Sequence, residues 1–527
     1  MKNTREEPRG RAKSILYNSL LLCLSAIAVR AVGVYFNVYI SNRVGAEGMG
    51  LYALAANVWG FAVTLALSGI NLATTRCVAE ADGRGGEIRA AMRRALGYAL
   101  TFGLGASVLL LALSKPLAIF WLKEERVVLA LRLFAISLPA ISVCSALNGY
   151  FSAVRRAWKS AGVALVEQAV KIYATATLLT HLLPRGAQYA CAAIVLGGAL
   201  AEVLSCAVSF MLYLLDRRRL SGDAVSSGDG RRLTRRLFGI AIPVALSTYV
   251  RSGLTTLEHI LIPAGLIAFG ATRSEALAEY GIVSAMVLPL VMFPYAFINS
   301  FTGLLVPEIA GAASHSHEKR ISYIATRSWR LTILFGLATA GIMAVCSSSF
   351  GLRLYGNARA AEYILAIAPL LPIMYLDTVT DSMLKGLGDQ VFTMKVNIAD
   401  AALSVILVYT LVPRFGVYGY IAVLYISELI NFSLSAARLI SKANMPFKPL
   451  RWALTPLICI IASSRICVFL FRSISLDSLP AWLSIAVQSI AIIAIFVLLS
   501  IITGAVDKEL ISWIKNTVLP TKEDRVG

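Results

Sequence analysis

The residues that could do chemistry in this chain are charges set inside long apolar runs. Arg30 interrupts the apolar run that begins near Ser25, and Arg251 interrupts a later one. A guanidinium at bilayer depth costs roughly 2.5–3.5 kcal/mol on insertion scales, so it usually faces a bundle interior or a wet cavity. Because a guanidinium binds phosphate through two parallel hydrogen bonds, the pair predicts a cationic cavity for a pyrophosphate-linked lipid. In the alternative interpretation Arg30 is structural, and Arg251 pairs with Glu258 two helical turns away.

Carboxylates form a second group, in the later part of the chain. Asp377 and Asp381 are one helical turn apart, where two like charges are unfavourable unless one is protonated or a cation is bound. Together with Asp400 and Glu428 they predict a site for Na⁺ or H⁺ that couples to the movement of a substrate. The alternative is that Asp381 pairs with Lys385 at the end of a helix and has no such role.

Helix breakers inside the apolar runs are the third group. Proline removes a backbone hydrogen bond and bends a helix. Pro289 and Pro294 lie close together, and Asn299 and Gly303 follow them in the same run. The sequence therefore predicts a bending gate at Pro289, Pro294 and Gly303, although kinked helices with a purely structural role are also common.

The composition fixes the class of protein. Of 527 residues, 58% are hydrophobic and 15% are charged, where a soluble protein has about 25% charged residues. The net charge of +20 does not indicate nucleic acid, because the cations gather in alternate short loops between apolar runs. The eight cysteines are scattered without metal-ligand spacing, and no enzyme motif is present. These features predict an all-α polytopic membrane protein that is not an enzyme and has no cofactor.

Fourteen apolar segments approach the length of about 20 residues that a bilayer requires. The segments are 14–40, 48–74, 92–114, 129–152, 161–182, 188–215, 234–262, 280–306, 329–349, 363–386, 391–412, 417–439, 451–471 and 481–503. An even number of spans and the bias of Lys and Arg toward one side predict that both termini are cytoplasmic. The predicted organisation is a tail (1–13), a first lobe (14–215), a linker (216–233), a second lobe (234–440), two further spans (441–503) and a tail (504–527).

The two halves of the chain repeat. Ile70-Asn71 recurs as Ile298-Asn299, and Pro139 recurs as Pro372. Glu167 recurs as Asp400 with the same spacing as the two prolines. Copies of six spans each must enter the membrane from the same side, so the sequence predicts a parallel duplication about an axis along the membrane normal.

Several stretches resemble the multidrug/oligosaccharidyl-lipid/polysaccharide exporter superfamily. They are Arg30-to-Tyr52 (R-x-x-G, then G-x-E-G-x-G-L-Y), Gly69-to-Glu80 (GINLATTRCVAE), Tyr280-to-Glu308 and Pro369-to-Val412. Within the superfamily the chain resembles the stage V sporulation protein B and polysaccharide-biosynthesis branch, with MurJ-type lipid II flippases as relatives. The chain has Phe36 and Asn37 where those flippases place a second Arg-Asp pair, which leaves room for a different glycan.

The resemblance implies two six-helix lobes arranged in a V that work by alternating access in a bacterial plasma membrane. It implies a monomeric flippase that moves an undecaprenyl-diphosphate-linked oligosaccharide or peptidoglycan precursor to the outer leaflet and binds no nucleic acid. Arg30 and Arg251 would hold the diphosphate, while four amide side chains, Asn37, Asn57, Asn71 and Asn299, would contact the sugars. Two alternatives stay open: a cation-coupled multidrug exporter centred on the aspartates, and a non-transporting scaffold of envelope or spore-coat assembly.

Overall fold

The computed structural model describes residues 8–81, 85–218, 227–315, 317–446, 450–472 and 480–506. Inside these ranges the side chains at 8–28, 85, 157, 227–233 and 304 are not described. Most of the predicted C-terminal tail, at 507–527, and the middle of the predicted linker, at 219–226, lie outside the described residues.

The described chain is built from α-helices with short π- and 3₁₀-helical turns between them. The α-helices are α1 (Pro8–Leu67), α2 (Ile70–Glu80), α3 (Gly85–Pro116), α4 (Val128–Ala153), α5 (Ala157–Leu182), α6 (Ala187–Arg217), α7 (Ser227–Phe269), α8 (Arg273–Gly281), α9 (Leu288–Val291), α10 (Tyr295–Ser314), α11 (Glu318–Val345), α12 (Ala358–Ile367), α13 (Leu371–Gly386), α14 (Gln390–Ala443), α15 (Thr455–Arg472) and α16 (Ala481–Ile502). Within the described residues, 13 helical stretches are long and apolar enough to cross a membrane. The predicted all-α polytopic membrane fold is confirmed.

Two of the long stretches contain a sharp kink, and this accounts for the difference between 13 stretches and 14 predicted spans. Gly45 interrupts α1 with φ 78° and ψ 171°, and Gly416 interrupts α14 with φ 60° and ψ −138°. Glycine adopts these angles without a steric penalty. The kinks fall between predicted spans 1 and 2, and between predicted spans 11 and 12.

Contacts divide the described chain into two compact units. The first contains the residues up to Ala285 together with Val408–Gly416, and the second contains Met286–Leu407 and the residues from Val417 on. The first unit therefore includes α7 and α8, because α8 packs closely on the second part of α1. A methyl group on Gly50 would lie 1.9 Å from the carbonyl oxygen of Leu277, so only glycine permits this approach.

Backbone features recur between the two copies at the spacing that relates Pro139 to Pro372. Lys123 and Gly356 are both left-handed, with φ 51° and 61°. Arg155 and Gly388 are also both left-handed, with φ 57° and 78°. In each pair a cation in the first half occupies a conformation that glycine adopts more readily. The duplicated chain has therefore kept the backbone path through these loops while the side chains have changed.

Buried ion pairs follow the same repeat with their charges reversed. In the first unit, Arg156 NH1 lies 2.6 Å from Asp216 Oδ1 near the end of α6. In the second unit, Asp389 Oδ2 lies 2.7 Å from Nε of Arg438 in the last part of α14. Arg156 and Asp389 occupy equivalent positions of the two copies. The acid and the base have exchanged sides, so the loop and the helix end remain paired in both units.

Candidate functional site

Arg30 lies on α1 before the Gly45 kink. Asn37 lies two helical turns along the same face, and Gly33 is close to that face. A methyl group on Gly33 would lie 3.7 Å from Nε2 of Gln168 in α5. Tyr35, which is 77% exposed, lies about 140° around the helix from Arg30. The exposed guanidinium of Arg30 thus belongs to the α5 side of the helix and not to its exposed aromatic side.

Arg251 lies on α7 in the same unit. The face of α7 that packs on α1 carries Ser252, whose Oγ is 3.1 Å from Thr64 Oγ1, and Gly253, which approaches the ring of Phe61. Arg251 lies about 150° around the helix from the centre of this face and is exposed. Its guanidinium therefore points away from the second part of α1.

The two arginines share one property. Among the described residues, the structure records no hydrogen bond or ion pair for the side chains of Arg30 and Arg251, including any between Arg251 and Glu258. A guanidinium in an apolar helix without an acidic partner can bind an anionic ligand without first breaking an ion pair. A joint site formed by the two arginines stays a prediction.

Asn57 holds three helices together. Its Nδ2 donates a hydrogen bond to the carbonyl oxygen of Ala53 at 2.8 Å and to the hydroxyl of Tyr280 at 2.7 Å. The same hydroxyl lies 3.2 Å from Nδ1 of His259 in α7. Sequence analysis did not single out Tyr280 or His259, although a lone histidine in an apolar helix was an available signal. The network explains how α1, α7 and α8 keep a fixed register next to the arginines.

Asn71 and Asn299 have little in common beyond their equivalent sequence positions. Asn71 is exposed and donates from Nδ2 to the carbonyl oxygen of Ser145 at 3.1 Å. Asn299 lies in the second unit, is exposed, and accepts a hydrogen bond from Thr302 at its own carbonyl oxygen. Each amide is therefore accessible to a polar ligand within its own unit.

The predicted gate coincides with a break in the helix. A π-helical segment at Ile282–Val287 leads into α9, which contains Pro289, and the chain then turns before Pro294 begins α10. Gly303 faces open space, since a methyl group there would meet nothing within 4 Å. Predicted span 8 is thus two helical pieces, and the boundary between the compact units falls at Ala285 and Met286 inside the π-helical segment.

The aspartates of the second unit are embedded among neutral polar groups. Asp381 is 7% exposed and accepts hydrogen bonds from Nδ2 of Asn397 at 2.9 Å and from Oγ of Ser435 at 3.2 Å. Asp400 accepts a hydrogen bond from Ser427, whose Oγ also lies 2.8 Å from that of Ser404. Asp377 and Glu428 are half-buried. The structure therefore places the predicted acids on α13 and α14.

Asn431 belongs to this group and was missed by the sequence analysis. It is 5% exposed, and its Oδ1 has no hydrogen-bond partner among the described residues. Ser427 and Ser435 lie one turn before and one turn after it on the same face of α14, and both bind the aspartates. The side chain of Asn431 is thus aimed at the acidic group. No three His, Cys, Asp or Glu side chains in the described ranges are placed to hold a metal ion.

An ion-pair network at the loop ends of the first unit was also missed. Glu124, whose side chain is 6% exposed, accepts hydrogen bonds from Arg126 Nε at 2.7 Å and Arg126 NH2 at 3.2 Å. Nε of Arg273, at the start of α8, lies 3.2 Å from the same carboxylate, and Arg126 NH1 reaches Glu47 at 2.8 Å. The Glu124 network (Glu47, Glu124, Arg126 and Arg273) thus joins α8 to two earlier loops.

A cavity of about 290 Å³ lies beside the Glu124 network. Its lining is largely apolar and comes from α7, α8 and the loop before α4, including Trp121, Glu124, Pro263, Ile267, Arg273 and Leu277. In the equivalent loop of the second repeat, Asn357 caps α12 by accepting hydrogen bonds from the backbone of Arg359 and Ala360. Glu124 replaces this helix cap with ion pairs to neighbouring elements.

Comparison with known proteins agrees with this architecture. The family model described as "Polysaccharide biosynthesis protein" matches residues 15–313, and the model described as "MatE" matches residues 264–410. "Stage V sporulation protein B" of Bacillus subtilis (strain 168) is 24% identical over 436 residues, which cover 82% of this chain and 84% of that protein.

Two solved structures share the fold. "Lipid II flippase MurJ, inward closed conformation" superposes with a TM-score of 0.63 at 12% identity, covering 92% of this chain and 98% of that one. An inward-facing multidrug resistance MATE family transporter of the MOP superfamily gives a TM-score of 0.56 at 13% identity, covering 81% of this chain and 100% of that one.

Proposed function

The chain belongs to the polysaccharide biosynthesis protein family, and we propose that it is a flippase for a lipid-linked glycan. It is a multi-pass membrane transporter of the multidrug/oligosaccharidyl-lipid/polysaccharide exporter superfamily. The substrate in this proposal is an undecaprenyl-diphosphate-linked oligosaccharide or peptidoglycan precursor, which moves from the inner to the outer leaflet of a bacterial plasma membrane. Both termini are cytoplasmic in this proposal, and the protein works as a monomer.

One observation carries the choice of substrate: Arg30 and Arg251 lie within apolar helices and have no recorded acidic partner among the described residues. A diphosphate offers several charged oxygens in the geometry that a guanidinium binds through two hydrogen bonds. Its two negative charges offset the cost of holding two cations at bilayer depth. A neutral or cationic drug would offer neither advantage.

The polar side chains supply the remaining contacts in this proposal. Asn37 shares the face of α1 with Arg30, and Asn71 and Asn299 are exposed amides that can bind sugar hydroxyls. Asn57 acts at one remove, since its amide already binds Tyr280. The broken helix at Pro289 and Pro294, with Gly303 beyond it, provides the bend required for alternating access.

We also propose that the acidic group of the second unit couples transport to Na⁺ or H⁺. Asp377, Asp381, Asp400 and Glu428 place four carboxylates on α13 and α14. The hydroxyls of Ser404 and Ser427 and the amide oxygen of Asn431 add neutral ligands. Oxygen ligands of this kind, from side chains within broken helical bundles, suit Na⁺ in secondary transporters.

The test is a flipping assay in proteoliposomes with a fluorescent undecaprenyl-diphosphate sugar. Arg30→Ala and Arg251→Ala should each lower the rate by about tenfold or more, since a charge-assisted hydrogen-bonded contact is worth about 1.5–3 kcal/mol. Arg132→Ala is the matched control, because it removes an exposed arginine from α4. A monophosphate-linked lipid should depend less on the two arginines. Equal rates for all three variants would overturn the proposal.

A second candidate, a cation-coupled multidrug exporter, is favoured by the match to the MatE model over residues 264–410. It places Asp377, Asp381 and Asp400 at the centre of the mechanism and makes Arg30 structural. The comparison is between Asp377→Asn and Arg30→Ala in cells exposed to amphipathic cations. Lower drug resistance with Asp377→Asn alone would favour the exporter, whereas unchanged resistance with both would remove it.

A further inference from the structure

The two repeats contain equivalent polar clusters between their last helices. Glu167 of α5 and Asp400 of α14 occupy equivalent positions of the two copies. Each carboxylate accepts a hydrogen bond from a serine of the next helical segment. The donor is Ser205 in the first unit, at 2.8 Å, and Ser427 in the second. The repeat has thus preserved a carboxylate and its serine partner.

The clusters differ one helical turn later. Lys171 follows Glu167, and the equivalent position in the second repeat is Ser404. Lys171 is half-buried and interacts electrostatically with Glu202, a carboxylate of α6 that also interacts with Glu167. The first cluster therefore contains two acids and an ammonium of its own. Ser404 is 5% exposed and adds only a hydroxyl, hydrogen-bonded to Ser427.

The charge difference grows on the neighbouring helix. Asp377 and Asp381 of α13 stand where α4 of the first repeat has Cys144 and Asn148. The second cluster thus gains two acids at positions that are neutral in the first, and it has a serine where the first has a lysine. Asn431 then presents to this group a buried oxygen that no donor of the described chain binds. An acidic cluster with an unused amide oxygen is short of positive charge.

We propose that the ammonium of Lys171 takes, in the first repeat, the place that a mobile monovalent cation takes in the second. A lysine is a compact point charge with three donors, and it can satisfy a carboxylate and nearby oxygens as a small cation does. Only the cluster around Asp400, Ser404, Ser427 and Asn431 then exchanges its cation, and one cation binds per chain. The inference rests on the coupling part of the proposed function and names the residue that decides which repeat couples.

The experiment counts bound cations on the purified full-length protein with radioactive Na⁺, using choline chloride to hold the ionic strength constant. Wild type should bind one Na⁺, Ser404→Lys none, and Lys171→Ser two. Ser404→Met is the control for side-chain bulk without charge, and it should still bind one Na⁺, more weakly. The same proteins are followed by thermal unfolding, since a ligand that binds only the folded state raises the midpoint in a saturable manner.

The outcomes separate the possibilities. A wild-type midpoint that responds to pH but not to Na⁺, with the response lost in Ser404→Lys, supports the inference with a proton as the cation. If Ser404→Lys does not fold, the count for Lys171→Ser decides. A count of one in Lys171→Ser, or wild-type binding in Ser404→Lys, overturns the inference. No response to either cation in wild type overturns it as well, and flipping of the diphospho-lipid is then measured separately. The expected counts without flipping would sustain the inference while removing the glycan substrate.

Discussion

Replacing Glu124 by glutamine should weaken the attachment of α8 to the loops of the first unit. The change keeps the size of the side chain but removes the charge that holds Arg126 and Arg273. It also places an amide N–H₂ next to guanidinium donors that have no other use for it. The carboxylate is 6% exposed, so water cannot readily replace the lost contacts.

The magnitude follows from the geometry of the three contacts. The two hydrogen bonds from Arg126, at 2.7 and 3.2 Å, form a bidentate pair on a buried carboxylate. Removing one partner of a fully buried pair costs about 3–5 kcal/mol. Arg126 and Arg273 are 37% and 52% exposed, however, so water partly solvates both after the change. We therefore expect a loss of about 2–3 kcal/mol in the free energy of unfolding.

Glu125 provides the matched control, because it is the adjacent glutamate and is exposed. Glu125→Gln should change the free energy of unfolding by less than about 0.5 kcal/mol, as is usual for a surface position. Reversible denaturant titration in mixed micelles measures both variants under the same conditions. If Glu124→Gln and Glu125→Gln fall within error of each other, the Glu124 network does not hold α8 and the reasoning is refuted.

Three further predictions concern the duplicated loops. Lys123→Gly should stabilise the protein by roughly 0.5–1 kcal/mol, since it removes a left-handed strain of about 1–2 kcal/mol and adds chain entropy in the unfolded state; Gly356→Lys should destabilise it, and opposite signs in thermal unfolding are required. Asp389→Arg and Arg438→Asp should each destabilise the second unit, and the double variant should recover about 1 kcal/mol because it recreates the charge order of the first repeat; additive losses would contradict this. Hydrogen bonds from Arg438 and Lys442 hold the pKa of Asp389 below its ordinary value of 3.8. Its contribution to stability is therefore fully present above that value and is lost as the pH falls through the lowered pKa, a dependence that Asp389→Asn should remove when thermal unfolding is followed against pH.

Hydrophobicity and charge were enough to predict the helical membrane fold, because every backbone group must be satisfied inside the bilayer and only helices do this from local sequence. The prolines at 289 and 294 predicted the break in span 8 for the same local reason. Arg30, Arg251 and the aspartates stood out because a charge in an apolar run is costly. What they contact could not be read from their own segments.

The features that escaped the sequence analysis depend on contacts between distant segments. Glu124 sits in a polar loop, where an acidic residue is usually solvated, and only the approach of α8 buries it. Asn431 is an ordinary amide until α13 supplies the aspartates on its other side. The signal for Glu124 was present in the repeat: a lysine and a glutamate stand where the other copy has Gly356 and Asn357.

The duplication shows which side chains are free to change and which are constrained in pairs. The backbone keeps its left-handed positions at 123 and 356 and at 155 and 388, even where a cation must adopt them. Arg156 and Asp389 have opposite charges at one equivalent position, and their partners on α6 and α14 are reversed to match. Charge is therefore kept here as a pair. Lys171 and Ser404 break this pattern, because the second repeat loses the base and gains acids. A duplicated fold that balances its charges elsewhere should also balance them here, and a mobile cation supplies the missing charge.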